Sequence, residues 1–311
     1  MKKITGIMLV MLLCLTGLLM AEGQKDSDTV MIGAAMNSFA DKWQTYLQDA
    51  VRDFDAQHED CVIKMTDGKD DPATQLNQVE TLITQGIDVL LIVPVDISAM
   101  GPVIDKCKEA GVKIVVVNRL PSEEHMNDVD VYVGSESIQA GIMQAEWVIE
   151  TLNGKGDVAI MMGPLGQEAA LMRTEGNKQI IGKNSGINLV AEAEAKWDRA
   201  LGMQKAENWF QSGSKLDAIL CNNDEMAIGT LLAAESAGIA DEDIIIAGVD
   251  ATKDALEYLG KGLDVTVFQS PAGQGWGGAE AAYKLAKGEA VEKMTWIPFE
   301  LVTLENVEDY K

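Results

Sequence analysis

The fold is decided by the stretch Ala218-Ile219-Leu220-Cys221-Asn222-Asn223-Asp224-Glu225-Met226-Ala227-Ile228-Gly229. A short apolar run, typical of a buried strand, ends on three polar side chains, and a helical pattern begins directly behind them. In a parallel α/β sheet, ligands bind at the carboxyl ends of the strands, in the crevice before the following helix. Residues 247–252 repeat the arrangement, because another apolar strand there ends on Asp250. The two segments predict one edge of a binding site for a ligand rich in hydroxyl groups.

The composition is that of a globular protein large enough for two domains. The chain has 311 residues, of which 47% are hydrophobic and 24% are charged, and domains of about 100–200 residues are usual. Its formal net charge is −24. A nucleic-acid-binding surface needs a basic footprint, so this charge argues against a nucleic-acid partner.

Residues 1–21 have the pattern of a secretory signal peptide. Lys2 and Lys3 precede an almost uncharged apolar run from Ile4 to Met20, and Ala21 supplies a small residue where the polarity changes. The pattern predicts export, cleavage near Ala21 and a mature chain in the periplasm. An uncleaved membrane tether is the alternative, since the length of this run approaches the roughly 20 apolar residues that span a bilayer.

The remaining cysteines predict neither a disulfide framework nor a metal site. Cys61, Cys107 and Cys221 are an odd number, and each lies in an apolar segment. Such residues are typical of buried free thiols. Their spacing matches no zinc motif, so we expect no bound metal.

Strand and helix patterns alternate along the chain. Runs dense in Val and Ile are separated by segments with helical spacing, which is typical of parallel sheets covered by helices on both faces. A weak internal repeat supports two similar units, since two sets of residues share one spacing: Asp71, Glu80, Gly86 and Asp198, Glu207, Gly213. In each set the glycine is predicted to end a helix before the next strand. The sequence therefore predicts an α/β protein with two doubly wound parallel-sheet lobes.

A glycine-rich motif near the C-terminus resembles a dinucleotide-binding loop. Gly273-Gln274-Gly275-Trp276-Gly277-Gly278 matches G-x-G-x-x-G, follows the predicted strand Val265–Phe268 and precedes the predicted helix Ala279–Ala286. A dinucleotide fold needs several further strand–helix units, and too few residues follow the motif to form them. We interpret it as a flexible start of a helix near a domain crossing and expect no cofactor.

Polar and aromatic side chains at the ends of predicted strands form the candidate site. They are Asp41 and Trp43, Asn118 and Arg119, Arg173, Trp197, Asn223, Asp250 and Gln269. Carboxylates and amides can each engage two hydroxyls, arginine donates a planar fork, and an aromatic ring covers the C–H face of a sugar or cyclitol. The set suits binding of a neutral polyol ring, and it contains no nucleophile–base pair.

Two positions also have a purely structural interpretation. Asp224 directly precedes a predicted helix, and we interpret it as the N-cap rather than as a ligand contact. Trp43 shares a helical face with Leu47 and Val51, which leaves open that it belongs to the core.

Six segments together are typical of one protein family: Val117-Asn118-Arg119-Leu120-Pro121, Met162-Gly163-Pro164-Leu165-Gly166-Gln167, Arg173-Thr174-Glu175-Gly176, Asn223-Asp224-Glu225-Met226-Ala227-Ile228-Gly229, Asp264-Val265-Thr266-Val267-Phe268-Gln269 and Trp296-Ile297-Pro298-Phe299-Glu300-Leu301-Val302-Thr303. In them the chain resembles the periplasmic sugar-binding proteins of ABC transporters, the family of ribose-, galactose- and myo-inositol-binding proteins. The resemblance extends from about Val30 to Tyr310, and the segments are most similar to myo-inositol-binding members.

The resemblance implies the type I periplasmic binding protein fold, in which three crossings join two lobes and the ligand lies in the cleft. We expect the N-terminal lobe to comprise residues 30–133 and 268–294, and the C-terminal lobe to comprise residues 134–267 and 295–311. The resemblance also implies that the permease subunits of an ABC transporter are partners of the protein, and we expect the protein to be a monomer.

The resemblance assigns site residues to both lobes. In the N-terminal lobe, Asp41 and Trp43 match the family's first-loop acid and aromatic residue, and Asn118 and Arg119 match its polar pair. The matches in the C-terminal lobe and at the hinge are Arg173, Trp197, Asn223, Asp250 and Gln269. Galactose-binding members carry an acid four residues before the matched arginine, where this chain has Ala169, and their calcium loop corresponds to residues 152–157, which are too short and too poor in acids. We therefore expect no structural calcium.

The sequence thus predicts a non-catalytic solute-binding protein that delivers a cyclic polyol or monosaccharide to a permease. Myo-inositol is the first candidate, and ribose, xylose, glucose and galactose are the alternatives. A sugar-responsive repressor would share the two-lobed core but needs an N-terminal DNA-binding domain in place of the apolar segment. A secreted glycosidase would need paired carboxylates, for which Asp41 and Asp250 are the candidates.

Overall fold

A computed structural model of the protein describes residues 29–213 and 215–311. The predicted signal peptide, residues 1–21, lies outside the described residues. Within them the chain forms two six-stranded sheets, each flanked by helices. This is the predicted α/β class with two doubly wound lobes. None of the helices in the described part of the chain is both long and apolar enough to cross a bilayer.

The first lobe is built mainly from the N-terminal half of the chain. Its elements, in chain order, are β1 (Val30–Met36), α1 (Lys42–Gln57), β2 (Cys61–Asp67), α2 (Pro72–Thr84), β3 (Val89–Ile92), α3 (Met100–Ala110), β4 (Lys113–Val117), α4 (Glu123–Met126) and β5 (Val131–Gly134). A short 3₁₀ turn, Ile97–Ala99, precedes α3. The strands are continuous apolar runs because helices cover the sheet on both faces.

The second lobe repeats the pattern. Its elements are α5 (Ser137–Thr151), β6 (Gly156–Met162), α6 (Glu168–Gly182), β7 (Ile187–Glu194), α7 (Arg199–Gln211), β8 (Ala218–Cys221), α8 (Asp224–Ala237), β9 (Ile245–Ala247), α9 (Lys253–Tyr258) and β10 (Val265–Gln269). The C-terminal segment contributes α10 (Pro271–Ala286), β11 (Met294–Trp296) and β12 (Phe299–Thr303). Two further 3₁₀ turns are Asp241–Asp243 and Val307–Tyr310.

The strand order shows how the C-terminal segment completes both lobes. The first sheet has the order β11-β5-β4-β3-β1-β2 and the second β12-β10-β9-β8-β6-β7. All pairings are parallel except that of β10 with β12. The chain consequently crosses between the sheets three times: at residues 135–136, at residue 270 and at residues 297–298.

These strands move the expected lobe boundaries by a few residues. A boundary at 267/268 cuts through β10, whose last residue, Gln269, still pairs with Phe299 in the second sheet. A boundary at 294/295 cuts through β11, which pairs with β5 in the first sheet as far as Trp296. The sequence pattern did not reveal these limits because β11 and β12 are short and the second sheet ends in an antiparallel strand.

The internal repeat corresponds to equivalent helices in the two lobes. Asp71 caps α2 by accepting from the Thr74 amide, and Asp198 caps α7 by accepting from the Leu201 amide. After each helix, the glycine of the repeat has positive φ, 77° at Gly86 and 75° at Gly213.

The G-x-G-x-x-G motif lies inside a helix, so its interpretation as a flexible helix start is wrong. All six residues belong to α10, which begins at Pro271. A Cβ atom at Gly275 would collide with the carbonyl oxygen of Leu47 on α1, and one at Gly278 would lie 2.5 Å from Val117. The glycines therefore serve close packing of α10 against α1 and the first sheet.

The three cysteines of the described region are buried free thiols, as predicted: Cys61, Cys107 and Cys221. Burial raises the pKa of each thiol to about 12. They are therefore protonated at neutral pH and pack as small apolar groups.

Candidate ligand-binding site

The carboxyl ends of the strands in both sheets face a cleft between the lobes. A cavity lies there, and all nine predicted residues line it: Asp41, Trp43, Asn118, Arg119, Arg173, Trp197, Asn223, Asp250 and Gln269. Gln44, Gln167 and Ala169 complete the lining.

The first turn of α1 supplies one wall. The Asp41 carboxylate caps this helix by accepting from the main-chain amide of Gln44 at 3.1 Å. Trp43 is 6% exposed and packs with Leu47 in the core of the first lobe, and its indole Nε1 donates to the Gln269 carbonyl at 3.2 Å. Trp43 therefore belongs to the core and to the cleft wall at once, and its hydrogen bond joins α1 to the end of β10.

Asn118 lies in a chain of side-chain amides. Gln44 Nε2 donates to Asn118 Oδ1 at 3.0 Å, and Asn118 Nδ2 donates to Gln274 Oε1 at 3.0 Å. Gln274, fully buried on α10, donates in turn to the Ser135 hydroxyl at 2.8 Å. The chain fixes the orientation of the Asn118 amide and extends from the cleft to the first crossing between the lobes.

Arg119 is anchored by main-chain carbonyl groups. Its Nη1 donates to the carbonyls of Pro94 and Val95 at 2.8 and 2.7 Å. Burial lowers the pKa of its guanidinium, and the nearby charge of Asp41 opposes this effect. One end of the guanidinium is thereby fixed by the loop after β3, while the side chain lines the cavity.

Arg173 is the centre of the second wall. It is 4% exposed, and its Nη1 donates to the Asn222 carbonyl at 2.7 Å and to Asp250 Oδ1 at 3.4 Å. Its Nη2 donates to Gln269 Oε1 at 2.8 Å. The guanidinium thus connects α6, the end of β8 and the hinge-side end of β10.

An aromatic wall lies beside this cluster. The Arg173 guanidinium carbon is 5.7 Å from the centroid of the Trp197 ring, a cation–π distance. Trp197 Nε1 donates to Gln167 Oε1 at 2.7 Å. Gln167 therefore fixes the orientation of the indole, which lines the cavity.

Three of the nine residues have a left-handed backbone. The φ angles are 68° at Asn118, 63° at Trp197 and 121° at Asp250. Non-glycine residues rarely adopt such angles, and they cluster at functional sites where the surroundings hold them. Their occurrence at the carboxyl ends of the strands marks this edge of both sheets as specialised.

The three polar residues after β8 have distinct roles, and the prediction that Asp224 is the N-cap of α8 is wrong. The side chain of Asn223, not Asp224, caps α8 by accepting from the Met226 amide at 3.0 Å. Asp224 is the first residue of the helix and is fully buried. Asn222 is also fully buried, and its Oδ1 accepts from the Gly163 amide and the Thr174 hydroxyl.

The charges of the cavity are balanced. Among its lining residues, Asp41 and Asp250 oppose Arg119 and Arg173. Burial raises the pKa of Asp41, and it raises that of Asp250 well above the ordinary value although the Arg173 charge acts in the opposite direction. Among the described residues, no three His, Cys, Asp or Glu side chains are grouped closely enough to hold a metal ion.

Two residues of the wall were missed in the sequence. Gln44 follows Trp43 on the first turn of α1, and Gln167 precedes α6. Gln44 was overlooked because it lies within a predicted helix, where polar residues usually face solvent. Gln167 stands in Met162-Gly163-Pro164-Leu165-Gly166-Gln167, a segment that carried the resemblance, so a signal was present.

Comparisons with known proteins agree with this geometry. The family described as periplasmic binding protein domain matches residues 30–290. A protein of Rhizobium meliloti named for rhizopine binding is 37% identical over 90% of this chain and 92% of its own length. The ribose import binding protein of Bacillus subtilis is 32% identical over 77% of this chain and 76% of its own length.

A solved structure extends the comparison to three dimensions. The ABC transporter solute-binding protein of Bacillus halodurans, crystallised with bound myo-inositol, superposes with a TM-score of 0.87 and is 43% identical. The match covers 92% of this chain and 99% of that one. The chain belongs to the periplasmic binding protein family, and the resemblance and the fold predicted from the sequence are confirmed.

Proposed function

We propose that this protein is the solute-binding component of an ABC importer and that it binds a cyclic polyol, with myo-inositol as the first candidate. The observation that carries the proposal is the cavity between the lobes, where nine polar and aromatic side chains from both lobes converge. The nine predicted residues would form the ligand contacts. A hinge motion of the two lobes would enclose the ligand, and the closed form would be recognised by the permease.

The charge balance of the site favours an uncharged ligand. The lining contains two acidic and two basic side chains, so neither formal charge is in surplus. A phosphorylated or carboxylated ligand would bring an additional charge into a desolvated site without a partner, which is costly. Hydroxyl groups, in contrast, can both donate to Asp250 and accept from Arg173.

The shape of the ligand follows from the indole of Trp197. A flat aromatic face held by Gln167 suits the C–H face of a six-membered ring, while the polar groups address the hydroxyls around its edge. The myo-inositol bound by the Bacillus halodurans relative is a ring of this kind. Ribose, xylose, glucose and galactose are the alternatives, and Ala169 disfavours galactose because galactose-binding members are expected to have an acid there.

Binding without catalysis accounts best for the carboxylates. Burial raises the pKa of both Asp41 and Asp250, which a glycosidase could use. However, Asp41 accepts a hydrogen bond as a helix cap, and Asp250 faces Arg173. These contacts hold both side chains as hydrogen-bond acceptors rather than as a free acid and base, so we propose that the protein is not an enzyme. We also propose that it acts as a monomer and is exported by residues 1–21.

Isothermal titration tests the proposal. Purified protein would be titrated with myo-inositol, ribose, xylose, glucose and galactose, and with myo-inositol 1-phosphate as a charged probe. We expect micromolar or tighter binding of at least one neutral ligand, weaker binding of the phosphate and loss of binding in Asp250→Ala. Failure to bind any of the neutral compounds would refute the sugar class, and hydrolysis of aryl glycosides would refute the non-catalytic role.

A further inference from the structure

The loop that carries Asp250 has an unusual backbone. Two successive non-glycine residues have positive φ, 121° at Asp250 and 50° at Ala251. Each such residue costs roughly 1–3 kcal/mol unless the surroundings hold it. The main-chain amide of Asp250 donates to the Val267 carbonyl at 2.8 Å, and the two residues that follow need partners of their own.

Asp224 and Thr266 provide those partners. Asp224 Oδ2 accepts from the Thr252 amide at 2.7 Å, and Asp224 Oδ1 accepts from the Thr266 hydroxyl at 2.6 Å. The same hydroxyl accepts from the Ala251 amide at 3.2 Å. Two consecutive loop amides are thus held by one carboxylate–hydroxyl pair, which we call the brace.

The surroundings of the brace are built to receive a carboxylate. Asp224 and Thr266 are both fully buried. A Cβ atom at Gly248 would collide with Asp224 Oδ1, so glycine at this position leaves room for the carboxylate. Burial raises the pKa of Asp224 to about 7, although hydrogen bonds from Thr266 and Thr252 act in the opposite direction.

Capping of α8 does not explain why a carboxyl group is buried at Asp224. Asn223 already caps α8, so the carboxylate is not required as a cap. A buried acid without a basic partner destabilises the fold unless its hydrogen bonds compensate, and both of its hydrogen bonds point to the loop and its support. The brace instead holds the main chain directly after Asp250.

We propose that Asp224 and Thr266 are positioning residues that hold Asp250 in its ligand-binding orientation. The proposal rests on the proposed function to the extent that Asp250 contacts the ligand. Neither residue of the brace lines the cavity. Their influence on affinity would therefore act entirely through the loop.

Thr266→Val is the decisive variant, because it removes the hydroxyl while keeping the volume and the β-branched shape. Thr230→Val is its matched control: Thr230 is equally buried in the same lobe, but its hydroxyl donates within α8 to the Met226 carbonyl. Asp224→Asn provides a second perturbation of the brace that retains shape.

Amide hydrogen exchange of the ligand-free protein gives the first readout. In Thr266→Val the main-chain amide of Ala251, which loses its acceptor, should exchange roughly fivefold faster or more, while other strands of the lobe keep their protection. Unchanged exchange at the Ala251 amide, or the same acceleration in Thr230→Val, would overturn the brace. This readout decides the matter even if the protein binds none of the sugars tested.

Affinity for myo-inositol, measured by titration, gives the second readout. Thr266→Val should weaken binding roughly fivefold or more in the wild-type background but less than twofold in Asp250→Asn, because the hydroxyl acts through that carboxylate. Equal losses in both backgrounds would refute a positioning role. If the wild-type protein binds no cyclitol or monosaccharide, the proposed function fails, and the exchange experiment alone decides whether the loop is braced.

Discussion

Asp250→Asn should stabilise the ligand-free protein and weaken ligand binding at the same time. The substitution keeps the shape of the side chain and one acceptor oxygen but removes the charge. Asp250 is 6% exposed, and its single ion pair is with Arg173 at 3.4 Å. Two opposite effects from one nearly isosteric change test the interpretation of the site more strictly than a simple loss would.

The gain in stability follows from the pKa of the buried carboxyl. Burial raises its pKa in the folded protein well above the value of 3.8 in an unfolded chain, and the Arg173 charge compensates only in part. For a group whose pKa is raised, stability is greatest below the unfolded pKa and is lost as pH increases through the folded one. Asparagine has no such penalty, so the variant should melt higher at pH 8, by about 2–4 °C for each 1 kcal/mol gained. The difference should disappear toward pH 4.

The loss of affinity follows from the hydrogen bonds to the ligand. A hydrogen bond to a charged group contributes about 1.5–3 kcal/mol, and asparagine converts one of the two acceptor oxygens into a donor. Loss of one such bond corresponds to a roughly 10- to 150-fold weaker Kd for myo-inositol.

Asp264→Asn is the matched control for both measurements. Asp264 directly precedes β10, at the end of that strand away from the cleft, and burial raises its pKa to about 6. It should therefore also melt higher at pH 8, yet bind the ligand like the wild-type protein. Calorimetry of the ligand-free proteins and titration with myo-inositol would measure the two effects. A lower melting temperature of Asp250→Asn at pH 8, or an unchanged Kd, would refute the reasoning.

Three further predictions follow from individual contacts. Gln167→Leu removes the acceptor for Trp197 Nε1 and should weaken binding roughly five- to tenfold in titrations, with little change in melting temperature; a wild-type Kd would contradict the role of Gln167. Gly275→Ala should cost about 1–3 kcal/mol in denaturant unfolding, because the added Cβ collides with α1. Gly277→Ala, whose Cβ would lie 3.3 Å from its nearest neighbour, should be nearly neutral. Equal costs of the two substitutions would refute the packing argument. The raised pKa of Asp264 should lower the free energy of unfolding by about 2 kcal/mol between pH 4 and pH 7. Asp264→Asn should remove this part of the pH dependence, and an unchanged pH profile of stability would refute the assignment to Asp264.

The class of fold could be predicted because its signals are local. Apolar runs such as Val89–Ile92 and Lys113–Val117 stand between helical patterns, and alternation of this kind is sufficient for parallel sheets. The limits of the lobes could not be predicted, since β11 and β12 have three and five residues and their partners lie far away in the sequence. Short edge strands are defined by pairing rather than by pattern.

The glycine-rich motif shows a different limit of sequence patterns. Four glycines within six residues lower helix propensity, which favoured a flexible start of the helix. The helix forms nevertheless, because close contact of α10 with α1 and with the first sheet buries apolar surface from Gly275 to Ala286. Tertiary packing overrides intrinsic preference here, and only the partner surface reveals the purpose of the glycines.

The polar residues after β8 explain why the site was predicted as a set but not in its internal roles. Asn222, Asn223 and Asp224 are adjacent, and each could equally cap a helix, support a loop or contact a ligand. Their actual roles are selected by partners elsewhere: Asp224 bonds to residues 28 and 42 positions further along the chain. A strand end therefore identifies where a site lies. The role of each side chain there depends on which other strand ends lie next to it in the sheet. The brace beneath Asp250 exists because β8, β9 and β10 are adjacent in the second sheet, an adjacency that a parallel strand order determines and a local pattern does not.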